Sequence, residues 1–153
     1  MLFARTNAEA HLYMDLHPCK CGEAQFERDS ALVENGDDLA SVYEGACRGC
    51  GATRRVEFLL PDAMPRVGPG LVYGGSEPSV IIDPGEFLLI SDERARRVPA
   101  SPDGLTEAAR SRARRDIAIA LACIEEVWTG MRPLSLRKRM EEAASQDLPA
   151  DSD

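Results

Sequence analysis

The sequence predicts an α+β fold in which an N-terminal antiparallel sheet of three or four strands packs with a C-terminal helical hairpin. Strand-like segments flank the turn signal Asn35-Gly36 in the first half of the chain. Two close cysteine pairs bracket those segments. In the second half, apolar residues recur at helical spacing after a proline-containing helix start at Asp83.

The first residues predict a short helix followed by a strand. Thr6 precedes Glu9 by three residues, which is the spacing of a capping box, so a helix is expected to continue to about His11. Apolar and polar residues then alternate over 12–17, which is strand periodicity. Pro18 is expected to end that strand.

Three further strands are predicted over 24–34, 39–46 and 52–60. Asn35-Gly36 joins the first two as a hairpin because both residues tolerate positive φ. Residues 71–73 and 80–82 are expected to pair as two short strands in a proline- and glycine-rich stretch.

The helical half is predicted to begin where Asp83 caps a helix that ends near Arg97. A second helix is expected over 106–129 and a short third one over 134–144. The apolar stripe expected to face the core on the second helix consists of Ala109, Ala113, Ile117, Ala120, Leu121, Ile124, Val127 and Trp128. Cys123 lies among these aliphatic residues, which favours a buried, inert thiol.

The two cysteine pairs predict a zinc site, because two short turns from distant segments can supply four soft ligands in a tetrahedron. The second pair has the usual C-x-x-C-G spacing, whereas the first is C-x-C-G and one residue shorter. Either the first turn is tighter, or His17 replaces one thiolate. Reduced unbridged thiols and two disulfides are the alternatives, and the absence of a visible secretory signal disfavours the disulfides.

The spacing of these pairs resembles the zinc-ribbon family over roughly residues 12–60. The resemblance implies Cys19, Cys21, Cys47 and Cys50 as ligands of a structural Zn²⁺. More loosely, the chain resembles uncharacterised small bacterial proteins that join such a ribbon to a helix capped by Asp-Pro-Gly-Glu, which implies no activity.

The predicted organisation is a zinc-ribbon subdomain over 1–62, a connector over 63–85, a helical part over 86–144 and a disordered acidic tail over 145–153. We expect the ribbon and the helices to share one core, because neither buries enough apolar area alone.

Composition narrows the function classes. The net charge of −8 disfavours general binding to nucleic acid, and no apolar run is long enough for a membrane helix. A cytoplasmic location is the expectation. With two histidines and no nucleophile motif, a non-enzymatic role is predicted.

An arginine cluster is expected at one end of the helical hairpin, beside the loop that joins its two helices. Its members are Arg94, Arg96, Arg97, Arg110, Arg112, Arg114 and Arg115. These arginines either pair with carboxylates of the acidic ribbon, form a solvated face, or form a docking patch for an acidic protein or for phosphate backbone. The sequence therefore predicts a protein-interaction or regulatory module, such as an adaptor or an inhibitor; the alternative is a nucleic-acid-binding zinc ribbon that uses the arginines.

Overall fold

The computed structural model describes residues 1–63 and 70–131. Its elements are β1 (Leu2–Phe3), α1 (Asn7–Leu16), β2 (Asp29–Asn35), β3 (Asp38–Ala46), β4 (Thr53–Leu59), α2 (Pro84–Arg96) and α3 (Glu107–Met131). The α+β class is confirmed. The predicted third helix and acidic tail lie outside the described residues, as does part of the connector.

The sheet is mixed, which corrects the prediction of a purely antiparallel one. Its strand order is β1-β4-β3-β2, in which the two hairpin pairs are antiparallel and β1 lies parallel to β4. The hairpin at Asn35-Gly36 is confirmed, and Gly36 adopts a φ of 68° that favours glycine there. β1 is only two residues long, too short for a sequence pattern to reveal it.

Helix α1 continues to Leu16, so the strand predicted over 12–17 is wrong. The Thr6 hydroxyl caps the helix by accepting from the Glu9 backbone N–H, as expected. The Glu9 carboxylate does not close a capping box with Thr6; it accepts from the backbone N–H of Arg5. The alternation arises because α1 has two apolar faces, with Ala10 on one and Leu12 on the other.

Those two faces place α1 between two buried clusters. The sheet cluster, on one side, consists of Ala4, Ala10, Met14, Phe26, Tyr43 and Phe58. The helix cluster, on the other, consists of Tyr73, Ile82, Phe87, Ile90, Ala122 and Cys123. Tyr13 packs against both clusters. The sheet and the helical hairpin are therefore joined through α1.

Helices α2 and α3 form the predicted antiparallel hairpin. A capping box between Asp83 and Glu86 opens α2. Near the closed end of the hairpin, Arg94 pairs with Asp116. Residues 71–73 and 80–82 form no strands, which corrects that prediction.

The buried face of α3 differs from the predicted stripe. Ala120 is buried and Val127 packs against the helix cluster, as expected. Four residues assigned to the core are instead exposed: Ile117, Leu121, Ile124 and Trp128. The residues buried on the inner face of α3 include Ala122, Cys123 and Glu126.

A buried ion-pair group connects the N-terminus to α3. Arg5 contacts Glu9 at 2.6 Å and Glu126 at 2.7 Å, and all three side chains are almost completely buried. The guanidinium also donates to the Glu77 backbone carbonyl. The Arg5 guanidinium thus bonds to two carboxylates and to one backbone carbonyl of a loop. These bonds fix the position of α1 relative to α3.

Candidate metal centre

The four cysteines predicted as ligands are brought together by two tight turns. In the first turn, the Gly22 N–H donates to the Cys19 carbonyl at 2.7 Å. In the second, the Gly51 N–H donates to the Cys47 carbonyl at 2.8 Å. Gly22 and Gly51 have φ values of 89° and 74°, so both glycines occupy the left-handed conformation that favours glycine.

The distances between sulfur atoms match a tetrahedral ion. All four Sγ atoms lie within 4.8 Å of one another. The Cys19–Cys50 pair is 3.7 Å apart and the Cys21–Cys47 pair 3.6 Å. A metal–sulfur bond of about 2.3 Å places tetrahedral ligands about 3.8 Å apart, whereas a disulfide needs about 2.05 Å. The cluster therefore fits a four-coordinate metal and is not a pair of disulfides.

Hydrogen bonds from the turns favour a thiolate in this cluster. The backbone N–H of Cys50, together with that of Gly49, lowers the pKa of Cys47 to about 7 despite the cost of burial. The Glu23 N–H acts to lower the pKa of Cys21, but hydrogen bonds with the neighbouring thiols raise it to about 12. Four thiols this close cannot all ionise unless a cation balances their charge.

His17 lies outside the four-sulfur cluster. Its ring stacks on Tyr13 with centroids 3.9 Å apart, and its Nδ1 lies 2.9 Å from the Tyr13 carbonyl oxygen. Among the described residues, the group whose ligand atoms lie within metal-binding distance of one another consists of these four cysteines and does not include His17.

Arg54 connects the first turn to β4, a contact that sequence reasoning did not find. Its guanidinium donates to the carbonyl oxygens of Ala24 at 2.9 Å and His17 at 2.6 Å. It also lies 4.4 Å from the centre of the Phe26 ring. Its partners, the carbonyl groups of Ala24 and His17, lie far from it in sequence, and their positions depend on how the loop between α1 and β2 folds.

The arginine cluster is only partly paired. Arg94 pairs with Asp116, Arg96 with Asp92, Arg97 with Glu93 and Arg114 with Glu107. All four carboxylates belong to α2 or α3, so pairing with the acidic ribbon does not occur among the described residues. Arg110, Arg112 and Arg115 have no ion-pair partner in that part of the chain.

Four cysteines, two glycine turns and supporting N–H donors define a closed four-thiol centre in an α+β scaffold. No protein-family model matches the chain, and no curated protein or solved structure shows a significant match. The resemblance to zinc ribbons therefore has no support from a family match. Among the described residues, no helix combines the length and apolar character needed to cross a bilayer.

Proposed function

We propose that this protein is a zinc-stabilised, non-catalytic module that binds another protein through the outer face of α3. The observation that carries the proposal is a row of large apolar side chains on that face. These residues are Ile117, Leu121, Ile124, Trp128 and Met131, with exposures from 43% to 72%. The opposite face of the same helix is already packed in the core.

The row has the spacing of a coiled-coil seam. Its members are separated by four, three, four and three residues, an average of 3.5 per turn. Exposed apolar surface of this extent and continuity is typical of interaction sites on small proteins. The geometry that best covers such a seam is the apolar face of a second helix.

The N-terminal end of the seam is positively charged, which favours a partner with acidic residues. Arg110 and Arg114 continue the seam at the same spacing. Beside them is a cleft of about 390 Å³ whose apolar lining includes Val98, Leu105 and Ile117. An amphipathic helix that carries Asp or Glu beyond its apolar face complements this surface. The proposed partner is therefore an acid-flanked amphipathic helix of another protein.

Zinc at the four cysteines is the structural part of the proposal. Four thiolates form a closed tetrahedral set with no open position for substrate, which favours a structural over a catalytic role. Soft sulfur ligands in this geometry select zinc or iron–sulfur chemistry, and one ion matches the observed separations between sulfur atoms.

The metal is tested by elemental analysis of the purified chain together with two serine variants. Wild type should contain one zinc per chain, and Cys47→Ser should lose it. Cys123→Ser is the matched control, because Cys123 is a free cysteine outside the cluster. A chelator should lower the melting temperature of wild type. Protein without stoichiometric zinc, or with unchanged melting in chelator, would contradict the structural role.

The docking face is tested with a photo-crosslinking amino acid at position 121, or at exposed Val80 as the control, in the native host. Position 121 should capture a protein that position 80 does not. With that partner purified, Leu121→Glu should weaken binding at least about thirtyfold, since a central apolar contact contributes about 2 kcal/mol or more. Val80→Glu should leave binding unchanged, and Arg110→Glu should weaken it most at low salt.

The identity of the crosslinked molecule shows which kind of partner binds the outer face of α3. An acidic helical segment mapped at the adduct supports the proposal. A second copy of this chain, a nucleic acid, or equal capture from both positions would overturn it.

A further inference from the structure

We propose that a second cleft, between α1 and the helical hairpin, binds a small organic carboxylate with an apolar body. The cleft has a volume of about 320 Å³. Leu12, Leu71 and Ile119 form its apolar walls, while Arg94 and Arg115 supply cationic groups. This size and mixture are typical of small-molecule sites.

Arg94 supplies one of the two cationic groups of the cleft. One terminal nitrogen of its guanidinium donates to the Asp116 carboxylate at 3.1 Å. Its Nε is buried and meets no acceptor among the described residues. This buried Nε is out of reach of a ligand in the cleft, so a ligand carboxylate would contact the exposed part of Arg94, which is 33% of its side chain.

Arg115 contributes the charge that remains unbalanced. The cleft also contains Asp15, but that carboxylate pairs with Arg28. Arg94 is similarly balanced by Asp116. Arg115 has no described ion-pair partner, so the site has an excess of one positive charge. A monoanion balances this charge, and an arginine fork matches a carboxylate in geometry.

His11 adds a neutral hydrogen-bond donor to the wall of the cleft. Its Nδ1 lies 2.9 Å from the Arg28 guanidinium, which can only donate, so Nδ1 accepts and the proton resides on Nε2. Burial, reinforced by the charge of Arg28, lowers the pKa of His11 and favours this neutral form. Two arginines and one imidazole thus line the cleft together with aliphatic side chains.

The test compares 3-phenylpropionate with its neutral amide by calorimetry and amide NMR on the full-length, metal-containing protein. The carboxylate should bind with a Kd near or below about 1 mM and shift α1 and α3 resonances. The amide should bind at least about tenfold more weakly, because it cannot pair with Arg115.

Substitutions locate the site. Arg115→Leu should weaken carboxylate binding at least about tenfold, whereas Arg112→Leu should leave it unchanged. Arg112 is the matched control because it is an exposed arginine of the same helix, also without a described ion pair, and does not line the cleft. Inorganic phosphate should bind more weakly than 3-phenylpropionate, since it gains nothing from the apolar walls.

Four results would overturn the inference. They are absence of carboxylate binding up to 10 mM, equal binding of acid and amide, equal loss in the two arginine variants, and preference for inorganic phosphate. Since none depends on the outer face of α3 or on the zinc, this inference can fail while the proposed function stands.

Discussion

Replacing Arg5 by methionine should be among the most destabilising single changes in this protein. The substitution retains much of the packing volume but removes the only described cation that contacts the Glu9 and Glu126 carboxylates. Those carboxylates are 0% and 6% exposed, so water cannot replace the lost charge without opening the structure.

The expected decrease in the free energy of unfolding follows from the burial of these carboxylates. Removing one partner of a buried ion pair costs about 3–5 kcal/mol, against a total stability of about 5–15 kcal/mol for ordinary domains. With a urea m-value of about 2 kcal/mol/M, the unfolding midpoint should fall by about 2 M. Protonation of Glu126 limits the cost, because burial raises the pKa of that carboxyl despite its bonds to Arg5.

The assay is urea unfolding followed by far-UV circular dichroism at neutral pH. Arg55→Met is the control, because Arg55 pairs with Glu44 and Glu57 on the exposed surface and should change the midpoint little. Glu126→Gln leaves the bond between Arg5 and Glu9 in place and should cost less than about 1.5 kcal/mol. A midpoint for Arg5→Met equal to that of Arg55→Met would refute the reasoning.

Three further predictions use buried positions. Gly74→Ala should cost about 1–3 kcal/mol in urea unfolding, because a Cβ there would lie 2.1 Å from the Arg5 guanidinium carbon; Gly75→Ala, with open space around it, is the control, and equal midpoints would contradict this. Because the pKa of Glu126 is raised by burial, the folded state retains its proton to higher pH than the unfolded state. The unfolding free energy of wild type relative to Glu126→Gln should therefore fall as pH rises from about 4 through the folded pKa, and a constant or rising difference would exclude that shift. Burial raises the pKa of Cys123 to about 11, so iodoacetamide at pH 8 should leave it unmodified until urea is added; mass spectrometry showing equal labelling of the native protein would contradict its burial.

Local signals in the sequence were sufficient to predict the four-cysteine cluster. A cysteine pair followed by glycine specifies its own turn, because the glycine allows positive φ and the turn's N–H groups point toward sulfur. The two cysteine turns also come together because of the Asn35-Gly36 hairpin. Antiparallel pairing of β2 with β3 brings the chain back to the end of the sheet from which β2 started.

The prediction from sequence was wrong for the end of α1, because this helix packs against two buried clusters. Leu12 and Leu16 point toward the helix cluster, while Ala10 and Met14 point toward the sheet cluster. Two helical stripes superimposed in this way resemble the alternation of a strand. The same ambiguity affects α3, where periodicity shows an apolar face but cannot show whether the chain itself covers it.

The buried group around Arg5 could not be predicted from spacing beyond its local pair. Glu9 lies four residues after Arg5, a distance that helical geometry can bridge, but Glu126 is 121 residues away. Only the tertiary arrangement of α1 against α3 brings that carboxylate into reach. The opposite charges in the sequence gave no indication of which of many carboxylates Arg5 would meet.

The position of α1 between the two buried clusters has a consequence for how the molecule opens. Since Tyr13 is shared by both clusters, and Arg5, just before α1, bonds to α3, neither half can lose its order while the other retains all its contacts. Amide protons in the β3–β4 ladder and in the inner turns of α3 should therefore exchange with solvent deuterium through one common, global event.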